Sequence, residues 1–308
     1  MPKKIKLIVS RIIIFALCIS VIITAPILMA VSGTGNKDGD KSSMAVLTIW
    51  QIDSFEGGKG SRASYLQTVG NQCFKDSKTY VNVVSLTSYA ARQNIKEGIV
   101  PDLISYGAGT YGIDSVIRGK TPYYTWTHGG YCFLTLDENA DFSDIDYKNT
   151  VINCGVDNLS GAAALICGLQ NAEVGKPTGA YVSLISGEYK YLLGTQRDIY
   201  RLITREVNFK IKPITEFNDL YQNISVTTSN SKQAECANKF IEYLLKHDED
   251  IIKLGLMGKG KYYTDQMSQM ESINYQYKLT SPVSESAHTE LLSAIEKSDI
   301  NLLKKLLK

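Results

Sequence analysis

LTIWQIDSFEGGKGSRASYLQTVGNQCF, residues 47–74, decides the fold. Leu47, Ile49 and Ile52, with Trp50, make a short apolar run with the length and side-chain character of a buried strand. Phe55, Glu56, Gly57, Gly58, Lys59 and Gly60 follow as a glycine-rich loop. Ser61 then stands where a helix N-cap belongs, and Ala63, Leu66, Val69 and Cys73 recur at helical spacing. Strand, glycine loop and helix start form one half of a βαβ unit. In an open α/β sheet the loop after a strand's carboxyl end is where ligands sit. The unpaired N–H groups of a helix start favour an anion or a polar oxygen there.

Further along, residues 80–86 (YVNVVSL) predict a second strand, and Ser88 predicts the cap of a helix through Glu97, stopped by Gly98. Residues 101–106 (PDLISY) predict a third strand running into Gly107, Ala108 and Gly109. The order β, α, β, α, β argues for a parallel, doubly wound sheet. It places the loop at residues 106–111 on the same sheet edge as the first glycine loop. From Pro122 to Leu136 aromatic residues crowd before Gly129 and Gly130, and an extended run follows. A second unit begins at Thr150 with a short strand, then a small-residue helix over 161–169 capped by Asn158 or Ser160. Residues 180–193 (AYVSLISGEYKYLL) can be read with either period, with a helix from Tyr181 towards Leu193 as one reading. Residues 208–214 read as a strand. Residues 231–254 form the clearest helical stretch, with Ala234, Ala237, Ile241, Leu244 and Leu245 as its stripe and Gly255 past its end. The charged HDED run, residues 247–250, reads as a solvated face. Two short helices close the chain.

The early stretch, PDLISYGAG at residues 101–109 and LLGTQRDIYRL at residues 192–202, together with the long helix after Ser231, resemble the extracellular solute-binding proteins of bacterial ABC importers, in the branch with sugar-binding members. The resemblance covers most of the chain after Val46. It implies two lobes of periplasmic-binding-protein type II topology, with parallel-type sheets flanked by helices. Residues 122–136 would hold one hinge strand, residues 222–228 the return strand, and the loop at Gly194 the second lobe's main ligand contact. The implied division is 1–31 as a signal peptide or membrane anchor, 32–44 as a flexible tether, 45–127 with 224–262 as lobe 1, and 128–223 with 263–308 as lobe 2. The partners it implies are a small polar solute and a membrane permease. No cofactor, metal or nucleic acid is expected, and a monomer is.

The chain itself supports placement outside the cytoplasm. Lys3, Lys4, Lys6 and Arg11 precede an apolar run from Ile12 to Val31, the pattern of an export signal or a single span that keeps the N-terminus inside. Residues 32–43, SGTGNKDGDKSS, are polar and glycine-rich, as a tether would be. A formal net charge of +2 over 308 residues, with no basic face, gives no support to nucleic-acid binding. Cys73, Cys132, Cys154, Cys167 and Cys236 follow the leader. An odd number cannot all pair within the chain, and no CxxC spacing suggests zinc. They read as small apolar core residues.

No enzymatic constellation assembles. His128, His247 and His288 are the three histidines, none in HExxH, and no GxSxG surrounds a serine. GGKGS lacks P-loop spacing because Gly60 follows Lys59. A binding site needs less. Asp53, Phe55, Lys59 and Arg62 would come from the first lip, Tyr106 and Tyr111 from the second, Trp126 from the crossing, and Thr195, Gln196 and Arg197 from lobe two. Aromatic faces would stack on a sugar, while Asp53 and Arg197 would bond hydroxyls. A local Arg197–Asp198 ion pair is the plain alternative for that loop. Lys59, Arg62 and Arg197 would suit a carboxylated or phosphorylated solute equally. A sensor subunit feeding a membrane receptor and a surface-tethered hydrolase are the other functions compatible with this reading.

Overall fold

The first element is β1, Ala45–Ile52, whose residues from Ile49 onward are buried on both faces. A strand covered on both sides can alternate little, hence its continuous apolar run. The computed structural model describes residues 45–52, 61–117, 122–153 and 159–307. The leader, the tether and Asp53, Phe55, Lys59, Cys154 and Asn158 of the sequence reading lie outside the described residues. Among the described residues no helix is long and apolar enough to cross a membrane.

Helix α1 is Ser61–Cys73, β2 is Thr79–Leu86, α2 is Ser88–Lys96 and β3 is Leu103–Gly107. Strand β1 pairs in parallel with β2 along its whole length, from Ala45↔Thr79 to Ile52↔Leu86, and with β3 on its other side. The helix α2 is capped by Thr87, one residue before the expected Ser88; its hydroxyl accepts from Ala90 N at 3.2 Å. Strand β4, Tyr123–His128, ends at Gly129–Gly130, and the chain enters a second sheet as β5, Tyr131–Thr135.

That sheet adds β6 (Thr150–Asn153), β7 (Glu173–Gly175), β8 (Tyr191–Thr195) and β9 (Lys210–Pro213), with α3 (Ser160–Ile166), α4 (Pro177–Ile185) and α5 (Gln196–Ile203) between them. Its order is β7-β6-β8-β5-β9, with β7, β6 and β8 parallel and β5 antiparallel to both neighbours. The ambiguous stretch at 180–193 resolves into two elements rather than one helix. Pro177 starts α4 early, Gly187 at φ +74° stops it, and residues 191–195 are strand. The cap expected at Asn158 or Ser160 is instead Leu159, which makes no side-chain cap bond.

The chain returns through β10 (Phe217–Asn218) and β11 (Tyr221–Val226). Strand β11 lies antiparallel between β3 and β4, completing the first sheet as β2-β1-β3-β11-β4. Helix α6 is Ser231–Lys246, and a 3-10 helix, Glu249–Leu254, follows a break at His247 and Asp248. The break corrects the single long helix, and Asp248 corrects the solvated reading of the HDED run. Its buried carboxylate accepts from Lys259 N at 2.7 Å and from the Tyr262 hydroxyl at 2.5 Å, holding the next turn against the helix end. The tail adds β12 (Tyr277–Lys278, beside β10), α7 (Glu285–Glu296) and α8 (Ile300–Leu306), whose Leu291, Ala294 and Leu303 enter the core of the second sheet. The described residues form one compact unit, a mixed α/β fold with two five-stranded sheets flanked by helices.

Candidate functional site

The carboxyl ends of both sheets meet at the crossings between them. In the first sheet, β1 ends at Ile52, β3 at Gly107 and β4 at His128; Gly107 pairs with Gln222 and His128 with Tyr221 at the start of β11. In the second, β6 ends at Asn153 and β8 at Thr195, which pairs with Tyr131 at the start of β5. These strand ends therefore gather around residues 128–131 and 217–222.

The two crossings are bonded to each other. Gly129 N donates to Leu220 O at 2.6 Å, and Asn218 Nδ2 donates to Gly129 O at 2.9 Å. A third segment joins them, where His128 and Met257 exchange backbone bonds of 2.9 and 3.2 Å. The glycine pair is demanded by close approach. A Cβ on Gly129 would stand 2.5 Å from Gln196 Oε1, and one on Gly130 would stand 2.4 Å from the Tyr275 hydroxyl.

Asp219 is buried at the same crossing. Its carboxylate accepts from the Tyr131 hydroxyl and from Leu159 N, both at 2.8 Å. Burial lifts its pKa to about 6, against the pull of those two bonds. It thereby ties the return crossing to the start of α3 in the second lobe.

Thr195, Gln196 and Arg197 form the start of α5. Thr195 is the N-cap, accepting from Arg197 N at 3.3 Å, while Asp198 accepts from Thr195 N at 3.1 Å, a reciprocal capping arrangement. Gln196 is fully buried and its Oε1 accepts from Gly130 N at 3.0 Å. Arg197 is half-buried and reaches Leu254 O at 3.5 Å, across to the end of the 3-10 helix. The ion pair of Asp198 is with Arg201, at 3.1 Å, and not with Arg197. Burial raises the Asp198 pKa, opposed by bonds from Asn153, Thr195 and Arg201.

In the first lobe, Arg62 is buried in the first turn of α1, next to residues 53–60. Tyr111 is half-buried, with His288 stacked on its ring at 4.3 Å and the Arg92 guanidinium 4.2 Å from its ring centre. Tyr106 and Trp126 are placed in the two cores of the first sheet. Tyr106 is fully buried with its hydroxyl 3.2 Å from Ser225 Oγ, and burial lifts its pKa to about 12. Trp126 stacks on Tyr65 at 5.8 Å, and its indole N–H donates to Ser105 Oγ at 3.0 Å. So Thr195, Gln196 and Arg197 come together with the crossings, Arg62 and Tyr111 stand on the two lips of the first sheet, and Tyr106 and Trp126 lie behind those lips.

Residues not anticipated from the sequence complete the region. Asn153, buried at the end of β6, donates to Asp198 Oδ2 at 2.7 Å, which leaves its Oδ1 without a hydrogen-bond partner among the described residues. Gln222 donates to Ile52 O at 3.2 Å and Ser105 Oγ at 3.1 Å, holding the end of β1 to β11. The sequence offered one hint, the polar residues Asn218, Asp219, Gln222, Asn223 and Ser225 interleaved with apolar ones over residues 217–226. Among the described residues no group of His, Cys, Asp and Glu is arranged to hold a metal ion.

No family model matches the chain, and no curated protein matches its sequence. Solved structures do match its fold. Iron-bound HitA from Pseudomonas aeruginosa superposes with a TM-score of 0.55 at 10% identity, over 85% of this chain and 99% of that one. The maltose-binding periplasmic protein MalE of Listeria monocytogenes, in complex with maltose, gives 0.53 at 11% identity over 86% and 94%. The GacH receptor of Streptomyces glaucescens, solved with and without acarbose, gives 0.54 at 13% identity over 85% and 94%. The class these matches define is the two-lobed, periplasmic-binding-protein-like fold expected from the sequence. Structures that share this fold hold ligands as unlike as iron and maltose, so the fold by itself names no ligand.

Proposed function

We propose that this chain is the extracytoplasmic solute-binding component of an ABC importer, tethered by its N-terminal segment, which captures a small polar solute between its lobes and delivers it to a membrane permease. The observation that carries this reading is the meeting of the carboxyl ends of β1, β3, β6 and β8 at one set of crossings. Ligands of open α/β sheets sit outside such ends, and two lobes hinged there can close over a solute. No covalent chemistry is required of the site, and we assign none.

We assign solute contact to Asp53, Phe55 and Lys59 on the sequence alone, and to Arg62, Tyr111, Asn153, Thr195 and Arg197 at the ends of the elements that carry them. Tyr106, Trp126 and Gln196 support the lips from behind. A sugar or oligosaccharide suits this set best. Phe55 offers a ring face and Tyr111 its hydroxyl, Asp53 and the Asn153 Oδ1, unpaired among the described residues, accept from hydroxyls, and Arg197 donates in a fork.

A thermal-shift screen of the protein against sugars, amino acids, peptides and small anions tests the reading. Ligand at 100 times its Kd stabilises the native state by about 2.7 kcal/mol. A shift confined to sugars supports this assignment, a shift with anions alone replaces the cargo, and no shift with any class removes solute capture. Replacing Arg197 by Ala is expected to weaken binding of the active compound by about 1–3 kcal/mol, measured by calorimetry, with the unliganded thermal midpoint little changed.

A further inference from the structure

Helices α1 and α6 run antiparallel across the core of the first lobe. The Tyr65 hydroxyl donates to His247 O at 3.1 Å beside the last turn of α6, whereas eight residues on, Cys73 Sγ reaches Lys239 O at 3.9 Å. This register brings the end of α1 beside the second turn of α6. Cys236 lies there, three residues before Lys239 and so on the same helix face. Both cysteines are partly exposed and pack on the same apolar cluster, and neither is bonded to another cysteine. Burial raises the Cys73 pKa, and Cys236 stands near enough to add to that rise. The Lys239 ammonium, 5.4 Å from the Phe74 ring centre, crosses the same junction and pulls the Cys73 pKa down against the larger effect of burial.

We propose that Cys73 and Cys236 form a redox-active pair that closes into a disulfide joining α1 to α6 when a low-molecular-weight disulfide is supplied. One thiolate attacks a sulfur of the small disulfide and releases one small thiolate, leaving a mixed disulfide on the protein. The second cysteine, deprotonated by solvent, attacks the protein sulfur and releases the other small thiolate. Two protein thiols are oxidised and one small disulfide is reduced to two thiols. Cys132 is fully buried, and burial lifts the Cys167 thiol to about 12, so neither competes well for the oxidant. The bond would anchor the far end of the helix that begins the first lip.

The full chain in mild detergent is incubated with oxidised glutathione at about pH 8.5, where thiolates are populated. It is then digested and mapped by mass spectrometry without reduction. The expected product is a linked peptide pair containing Cys73 and Cys236, lighter by two hydrogen atoms than the separate peptides and lost on adding dithiothreitol. Cys73→Ser and Cys236→Ser should each abolish the link and leave a glutathione adduct on the remaining cysteine. The proposal is overturned if glutathione adducts accumulate on both cysteines of the unaltered protein without a link between them. It is also overturned if both stay reduced, or if either links instead to a different cysteine.

Discussion

At the scale of single residues, buried polar groups at the crossings carry the clearest consequences. Asp219 has a folded pKa of about 6 against an ordinary carboxylate value of 3.8. Between these values the folded chain holds a proton that the unfolded chain does not. The associated stabilisation is complete below about pH 3.8 and lost as pH rises through about 6. Asp219→Asn keeps the shape and removes the titration. Urea midpoints compared at intervals from pH 4 to pH 7 should rise less on acidification in the variant than in the unaltered protein. The glycine pair makes a steric prediction. Gly129→Ala forces Gln196 off the Gly130 amide, and its Cβ meets that side chain at 2.5 Å. We expect a loss of about 1–3 kcal/mol in chemical denaturation, the usual cost of overpacking.

At the scale of elements, local capping and tertiary override are both visible. Asn230 caps α6 through its Oδ1, which accepts from Lys232 N at 3.0 Å and Gln233 N at 3.2 Å. Asn230→Ala should lower stability by about 1 kcal/mol, read as a fall in the urea midpoint with an unchanged slope. Helical spacing continued past Lys246, yet the helix stops there, because Asp248 is drawn inward to close the turn at 259–262. Gly255, at φ +66°, then lets the chain leave the 3-10 helix against the Tyr200 ring, where a Cβ would come within 2.4 Å. Nothing in the periodicity of residues 231–254 announces either partner. Residues 180–193 show the same limit, since a short apolar run fits helix or strand until its neighbours are known. There β5 and β6 flank residues 191–195 and supply the ladder that makes them strand.

At the scale of the whole molecule, the two sheets share two bonded crossings, a third segment at Met257 bonded to them, and a tail that touches both. Ser281 O accepts from Gly109 N at 2.9 Å, Val283 N donates to Thr110 O at 3.1 Å, and α7 then packs on the second sheet. Both tryptophans, Trp50 and Trp126, lie in the first sheet, whereas far-ultraviolet circular dichroism reports both. If the crossings couple the lobes, tryptophan fluorescence and circular dichroism should follow one coincident urea transition. Two separated transitions would show lobes that unfold independently.

Residues 47–107 alone carry the strand, loop, helix alternation that makes a parallel α/β sheet, because burial on both faces and helix capping are written locally as apolar runs, serines and glycines. Aromatic crowding before Gly129–Gly130 likewise marks a change of sheet. The partners that meet at the crossings were not legible. Asn153 comes to Asp198, Asp219 to Leu159, and Gln222 to Ile52 across separations of 45, 60 and 170 residues. A buried polar side chain is tolerated only where a distant donor or acceptor satisfies it. Its role is therefore decided by tertiary placement, which is also what set Tyr106 and Trp126 into the cores and left Arg197 at the meeting of the lobes.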